Sequence, residues 1–386
     1  MRGTRRHALA LVAVLGAWLV GGCGDSSGPG GGGLTVSSVI VTPAGATVEV
    51  GSTQQYAALA VTASDQPVPG TTFTWGTSDS AVATISGSGL LTGVSAGPVT
   101  VSATGGGKTG TTTAIITLTP PPPAILLAAG DIAVCDSSYD EATALLLDTR
   151  AGTVAALGDN AYQSGTLTEY TTCYGPSWGR HKARTRPAPG NHEYLTAGAP
   201  GYWDYWGALA GPRDQGWYSY DLGSWHVIVL NSNCTEVGCT AGSAQEQWLR
   251  ADLAAHPAQC TLAYWHHPRF SSGASHGNNT AVGPFWQALY EAGAEIVLNG
   301  HEHLYERFAP QTPGAAADAS GGIRQFTVGT GGRTLVAVGT LQPNSQVIDN
   351  GTYGILQLTL GQGSYAWAFV PVAGSAFTDQ GTGTCH

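Results

Sequence analysis

Five short stretches of this chain carry residues that bind metal ions, each where a strand pattern gives way to a loop. They are Gly130-Asp131, Gly158-Asp159-Asn160-Ala161-Tyr162, Gly190-Asn191-His192-Glu193, Ala263-Tyr264-Trp265-His266 and Gly300-His301-Glu302-His303. Carboxylate and phenolate are hard oxygen donors suited to a highly charged cation, and imidazole suits zinc, iron and their neighbours. A turn alone explains any one of these stretches. Five in one region, Gly-led or at strand ends, predict a metal centre.

The elements that must position these residues follow from the apolar runs before them. Ala124–Ala129, Thr153–Leu157, Trp225–Leu230, Thr261–Trp265, Glu295–Leu298 and Phe326–Val328 are short apolar runs that predict buried strands. Between them, Ser138-Tyr-Asp-Glu141 and Ser243-Ala-Gln-Glu246 match capping boxes, opening helices over 142–149 and to about Ala255. A further helix is predicted over 283–292. Alternation on this scale predicts a layered α/β domain, and in such sheets ligand-binding groups collect where strands end. The aromatic-rich stretch Tyr202–Tyr220, with Trp203, Trp206 and Trp217, is expected to wall one side of the centre.

Upstream the character changes. Over 34–119, short runs rich in Val, Ile, Thr, Tyr and Trp recur between Gly, Pro, Asp and Ser turns, which predicts a β-sandwich with Trp75 in its core. It holds no cluster of His, Cys or acidic residues. Pro120-Pro-Pro-Pro123 is a stiff linker, placing the α/β domain at 124–386.

At the start, Arg2, Arg5 and Arg6 precede an apolar stretch from Ala8 to Val20 and then Gly21-Gly22-Cys23. This predicts an export signal over 1–22, with small residues before Cys23 resembling a bacterial lipobox. Cys23 would then carry a lipid and attach the chain to the cell envelope, in the periplasm or at the surface. Residues 23–33, rich in Ser, Gly and Pro, form the tether. The six cysteines beyond Cys23 are expected to pair in an oxidising compartment; Cys234–Cys239 closes a small loop, and the other pairings are open. With a formal charge of −10, two lysines and no basic patch, the chain is not built to bind nucleic acid.

Two resemblances follow. The segment 75–93, from Trp75 through Gly89-Leu-Leu-Thr-Gly93, resembles the bacterial immunoglobulin-like group 2 domain. The five metal-ligand stretches resemble the calcineurin-like metallophosphoesterase superfamily over about 124–370. That resemblance implies a four-layer α/β fold, two mixed sheets flanked by helices, preceded here by the small all-β sandwich. The superfamily's usual Asp-x-His is Asp131-Ile132-Ala133 in this chain. Tyr162, three residues after Asp159, instead matches the Gly-Asp-x-x-Tyr motif of purple acid phosphatases. Carried over, the resemblance places Asp131, Asp159, Tyr162 and His303 on one metal. It places Asp159, Asn191, His266 and His301 on the other. His192 and His276 would face a small phosphate ester. The expected metals are Fe³⁺, favoured by the phenolate, with Zn²⁺, Mn²⁺ or Fe²⁺ beside it. The implied activity is phosphomonoester hydrolysis of the acid phosphatase type. A phosphodiesterase or nucleotidase on the same metals is the alternative within the fold, and a silent cell-surface binding protein the alternative outside it. Arg269 and Arg307 could reach phosphate, but each is expected to be a surface or structural ion pair instead.

Overall fold

The computed structural model describes residues 34–257 and 260–386. The expected export signal, Cys23 and the tether lie outside the described residues. Two compact units divide between Thr119 and Pro120.

In the N-terminal unit, alternating residues build a sandwich. Along Lys108–Thr117, Gly110, Ala114 and Ile116 turn inward while their neighbours face out. This strand pairs with Gly97–Gly105 on one side and Ala46–Glu49 on the other, and Thr74–Thr77 completes the sheet. Thr53–Gln55, Leu90–Gly93 and Ala83–Ile85 form a second sheet, and Ser38–Thr42 pairs with Ala57–Val61. Val39, Val41, Tyr56, Leu91, Val101 and Ile116 make the core. Trp75 is a correction to the sequence reading: it is half-buried and packs against that core from its margin.

The second unit is built on two mixed sheets. One orders Thr185–Ala188, Thr153–Leu157, Ala124–Ala129, Gly354–Gly361, Ser364–Pro371 and Gln380–Thr384. Its first three strands are parallel and the rest antiparallel. The other orders Tyr218–Leu222, Trp225–Val229, Cys260–Tyr264, Ile296–Asn299, Arg324–Val328, Tyr305–Phe308 and Ser345–Asp349. Its central strands show why they are apolar throughout. Val227, Leu262, Tyr264, Ile296 and Leu298 face a core shared with the first sheet. Ile228, Ala263 and Val297 face a second core, closed by Leu249, Phe285, Trp286 and Leu289 from helices Ala244–Ala255 and Gly283–Glu291. A strand buried on both faces loses the polar half of its alternation.

Local details depart from expectation in two places. Ser138 makes no cap hydrogen bond to helix Tyr139–Asp148; instead Ser137 Oγ accepts from Tyr139 N–H. Ser243 does cap its helix, accepting from Glu246 N–H at 3.3 Å. The aromatic stretch does not wall a cleft: Tyr202, Trp203 and Trp206 are buried in the main core, and Trp217 in the second. The cysteines pair as Cys135–Cys173, Cys234–Cys239 and Cys260–Cys385. Among the described residues no helix is long and apolar enough to cross a membrane.

Candidate metal centre

The parallel strands of both sheets end at one place, and the loops leaving them carry the expected ligands. Asp131 follows Ala124–Ala129, Asp159 follows Thr153–Leu157, and Asn191 opens the turn after Thr185–Ala188. His266 follows Cys260–Tyr264, and His301 and His303 follow Ile296–Asn299. One backbone bond ties the two sheets together here, Gly130 N–H donating to Val328 O (2.9 Å), and another joins neighbouring loops of the second sheet, Gly300 N–H donating to His266 O (3.0 Å).

The backbone at three of these residues is strained. Asp131, Asp159 and His301 have φ of 60°, 49° and 70°, left-handed values that cost side-chain-bearing residues roughly 1–3 kcal/mol each. The glycines before the ligands have a steric reason as well. A Cβ on Gly190 would lie 2.1 Å from Asp159 Oδ1, and one on Gly158 would lie 2.6 Å from His266 Nδ1.

Asp131, Asp159, Tyr162 and His266 are buried, while Asn191, His301 and His303 are half-buried. Tyr162 Oη is 3.0 Å from both Asp131 Oδ1 and Asp159 Oδ2, and 3.5 Å from His303 Nε2. His266 Nε2 lies 3.1 Å from Asn191 Oδ1, 3.2 Å from His301 Nδ1 and 3.3 Å from Asp159 Oδ2. Second contacts fix the tautomers. His266 Nδ1–H donates to Leu157 O (2.9 Å) and His303 Nδ1–H to Thr334 O (2.8 Å). Carbonyls only accept, so each Nε2 points a lone pair inward.

The Tyr162 hydroxyl donates to both carboxylates, but around His266 Nε2, Asn191 Oδ1 and Asp159 Oδ2 acceptor is packed against acceptor, an arrangement that calls for positive charge between them. Protonation shows the same demand. Burial alone would lower His266, yet the Asp159 carboxylate overrides it and pushes the imidazole up to about 9. Asp159 is held well below the carboxylate range; His266 and His192 outweigh its burial. Burial, with Asp131 and Asp159 alongside, raises the Tyr162 phenol well above its ordinary value. A phenolate at this position therefore needs a cation. The donor set fits metal ions.

His192 and His276 stand at the rim. His192 Nδ1–H donates to Gln163 O at 2.6 Å, leaving Nε2 3.8 Å from Asp159 Oδ2. His276 is exposed, its ring 4.0 Å from that of His301. His267 sits behind them: its Nδ1 is 2.8 Å from Ser232 Oγ, and burial beside His266 lowers it to about 3. Arg307 is the structural ion pair expected of it, bound to Asp379 (2.7 Å), and Arg269 is held by the aromatic ring of Phe270.

Sequence reasoning missed the two buried glutamates inside the motifs. Glu193 accepts from Asp159 N–H (3.0 Å), Asn160 N–H (2.8 Å), Gly190 N–H (2.6 Å) and Tyr170 Oη–H (2.9 Å), which clamps two ligand loops. Glu302 Oε1 accepts from His276 and Gly277 N–H at 2.5 and 2.7 Å. An acid beside a ligand, followed by burial of its neighbours, was the available signal. Arg333 was missed too; only the preceding Gly331-Gly332 marked its loop.

A second cluster, His226, Asp252 and His256, closes on itself. His226 lies 3.1 Å from Asp221 and 2.8 Å from Asp252. The His256 ring stacks on it at 14°, and its Nδ1 lies 3.3 Å from the same Asp252 carboxylate, so the two imidazoles share one counter-charge.

Residues 107–305, more than half of the chain, match the calcineurin-like phosphoesterase family, and residues 35–116 match the bacterial Ig-like domain (group 2). Purple acid phosphatase 22 of Arabidopsis thaliana is 33% identical over 121 residues, 30% of this chain and 27% of that protein. Purple acid phosphatase 15 of the same plant is 31% identical over 103 residues, 25% and 19% of the two chains. The chain thus spans roughly a quarter of the length of these relatives. Among solved structures, a purple acid phosphatase from yellow lupin (Lupinus luteus) seeds superposes with TM-score 0.55 at 15% identity, over 89% of this chain and 68% of that one. GAP50, the anchor in the inner membrane complex of Plasmodium, gives 0.52 at 14% identity, over 67% and 89%. These likenesses show the fold, and the family match decides membership: the chain belongs to the calcineurin-like phosphoesterase family, joined to an N-terminal bacterial Ig-like domain.

Proposed function

We propose that this chain is an exported, lipid-anchored phosphatase that hydrolyses phosphomonoesters at a two-metal centre. The observation that carries the reading is the convergence of seven donor residues from five strand-end loops, with Tyr162 where the superfamily's usual first motif would supply a histidine. Asp131, Asp159, Tyr162 and His303 would hold Fe³⁺; Asp159, Asn191, His266 and His301 would hold a divalent partner. Bound there, two cations supply an activated water and neutralise phosphoryl charge.

The chain's own groups do the rest. Glu193 holds the loops of Asp159 and Asn191 in place by accepting from the N–H groups of Asp159, Asn160 and Gly190. His192, anchored at Nδ1 by Gln163 O, presents Nε2 toward the centre and donates a proton to the leaving oxygen. His276, beside His301, adds a second donor at the rim. Three disulfides support an oxidising compartment, and the basic, apolar start with Cys23 supports lipid attachment. The Ig-like unit serves as spacer.

The test is elemental analysis and a visible spectrum of the purified protein. Tyrosinate bound to Fe³⁺ absorbs in the visible, and Tyr162→Phe should abolish the band. A colourless, active protein holding only zinc or manganese would remove the iron assignment. Faster turnover of bis-nitrophenyl phosphate than nitrophenyl phosphate would replace the monoesterase with a diesterase.

A further inference from the structure

We propose that Arg333 is the fixed cation that grips substrate phosphate and favours dianionic monoesters over monoanionic diesters. The inference rests on the phosphatase reading above. Its loop follows strand Arg324–Val328 and is pinned to the ligand loops. Arg333 N–H donates to Asp131 O (2.8 Å), Gly331 N–H donates to Gly130 O (2.9 Å), and Thr334 O holds His303. The backbone of Arg333 is therefore as well placed as the ligands themselves.

Its side chain is the unusual part. The guanidinium carbon lies 4.8 Å from the centre of the Tyr162 ring, close enough for a cation–π contact. The phenol oxygen of that ring touches both Asp131 and Asp159. The cation therefore stands one ring length from the centre, held over the aromatic face with its N–H edges free. Among the described residues every other arginine donates to a carbonyl or carboxylate. The Arg333 side chain alone has no acceptor, although two carboxylates lie just beyond the ring. His192 and His276 can donate at the rim, but neither carries permanent charge. A planar guanidinium meets phosphate through two parallel hydrogen bonds. The second negative charge of a monoester strengthens that contact.

Inorganic phosphate is the probe, titrated calorimetrically into full-length, metal-loaded wild type, Arg333→Ala and Arg333→Lys. Nitrophenyl and bis-nitrophenyl phosphate kinetics and metal content are measured on the same samples. In Arg333→Ala the phosphate Kd should rise about 10- to 100-fold, the size of a charge-assisted contact. Monoester KM should rise in step with kcat little changed, diester kcat/KM should change less than about threefold, and Arg333→Lys should recover part of the loss. Metal content should match wild type. An unchanged phosphate Kd in Arg333→Ala would overturn the assignment alone. Loss of metal from Arg333→Ala would also overturn it, making the arginine a support for Tyr162. Wild type that binds no phosphate would remove the phosphatase reading, and this inference with it.

Discussion

The candidate centre is framed by residues other than its proposed ligands. Glu302 lies between His301 and His303, fully buried, and spends one oxygen on the N–H groups of His276 and Gly277. It links the ligand loop to the rim histidine, so it is a positioning residue. Removing a buried acceptor strands two donors, at a cost of roughly 1–3 kcal/mol each. Glu302→Ala should lower monoester kcat/KM by at least about tenfold, equivalent to roughly 1.4 kcal/mol of barrier. Glu302→Gln keeps one carbonyl oxygen for the same role and should stay within about threefold of wild type. Equal losses in both variants, at equal metal content, would show that the charge matters and the backbone contacts do not.

At the scale of elements, strands Cys260–Tyr264 and Ile296–Asn299 begin with a buried carboxylate. Glu295 Oε2 accepts from Thr261 N–H at 2.6 Å, and burial pushes its pKa up to about 7, above that of an unfolded glutamate. The folded state therefore binds a proton more tightly than the unfolded chain. Its stabilising contribution is complete below about pH 4.3 and is lost as pH rises through 7. Glu295→Gln keeps the acceptor and cannot ionise. Its thermal midpoint should match wild type near pH 4 and exceed it at pH 8.5, with a ceiling of about 3 kcal/mol. A constant difference across that range would show that Glu295 ionisation does not govern the pairing.

At the scale of the molecule, the two units have separate cores and divide between Thr119 and Pro120. All candidate ligands lie after Pro120. A protein beginning at Pro120 should retain its turnover of nitrophenyl phosphate. A loss beyond about tenfold in a folded, metal-replete sample would show that the Ig-like unit takes part in the site. Cys260–Cys385 ties the last strand of one sheet to a central strand of the other, across 125 residues, and it stays within the truncated protein.

Much of this was legible in the chain itself. Apolar runs such as Thr153–Leu157 and Ile296–Asn299 announce strands buried on both faces, because such strands have no polar side to show. The candidate ligands follow them directly, since a strand end is where a side chain leaves the layer. Glycines 158 and 190 are visible in the chain, but their steric reason is tertiary, since His266 and Asp159 respectively occupy the space of a Cβ. What only the tertiary structure decided depends on distant partners. Whether Ser138 caps, whether Trp206 lines a cleft or fills the core, and how the remaining cysteines pair are set by packing across tens of residues. Strands such as Gly354–Gly361 and Ser364–Pro371 are defined by pairing with each other. Arg269, Arg307 and Arg333 are alike as residue types in a sequence. Asp379 claims one, Phe270 another, and the fold leaves the third over Tyr162 with its donors free, because only three-dimensional proximity determines which charges find partners.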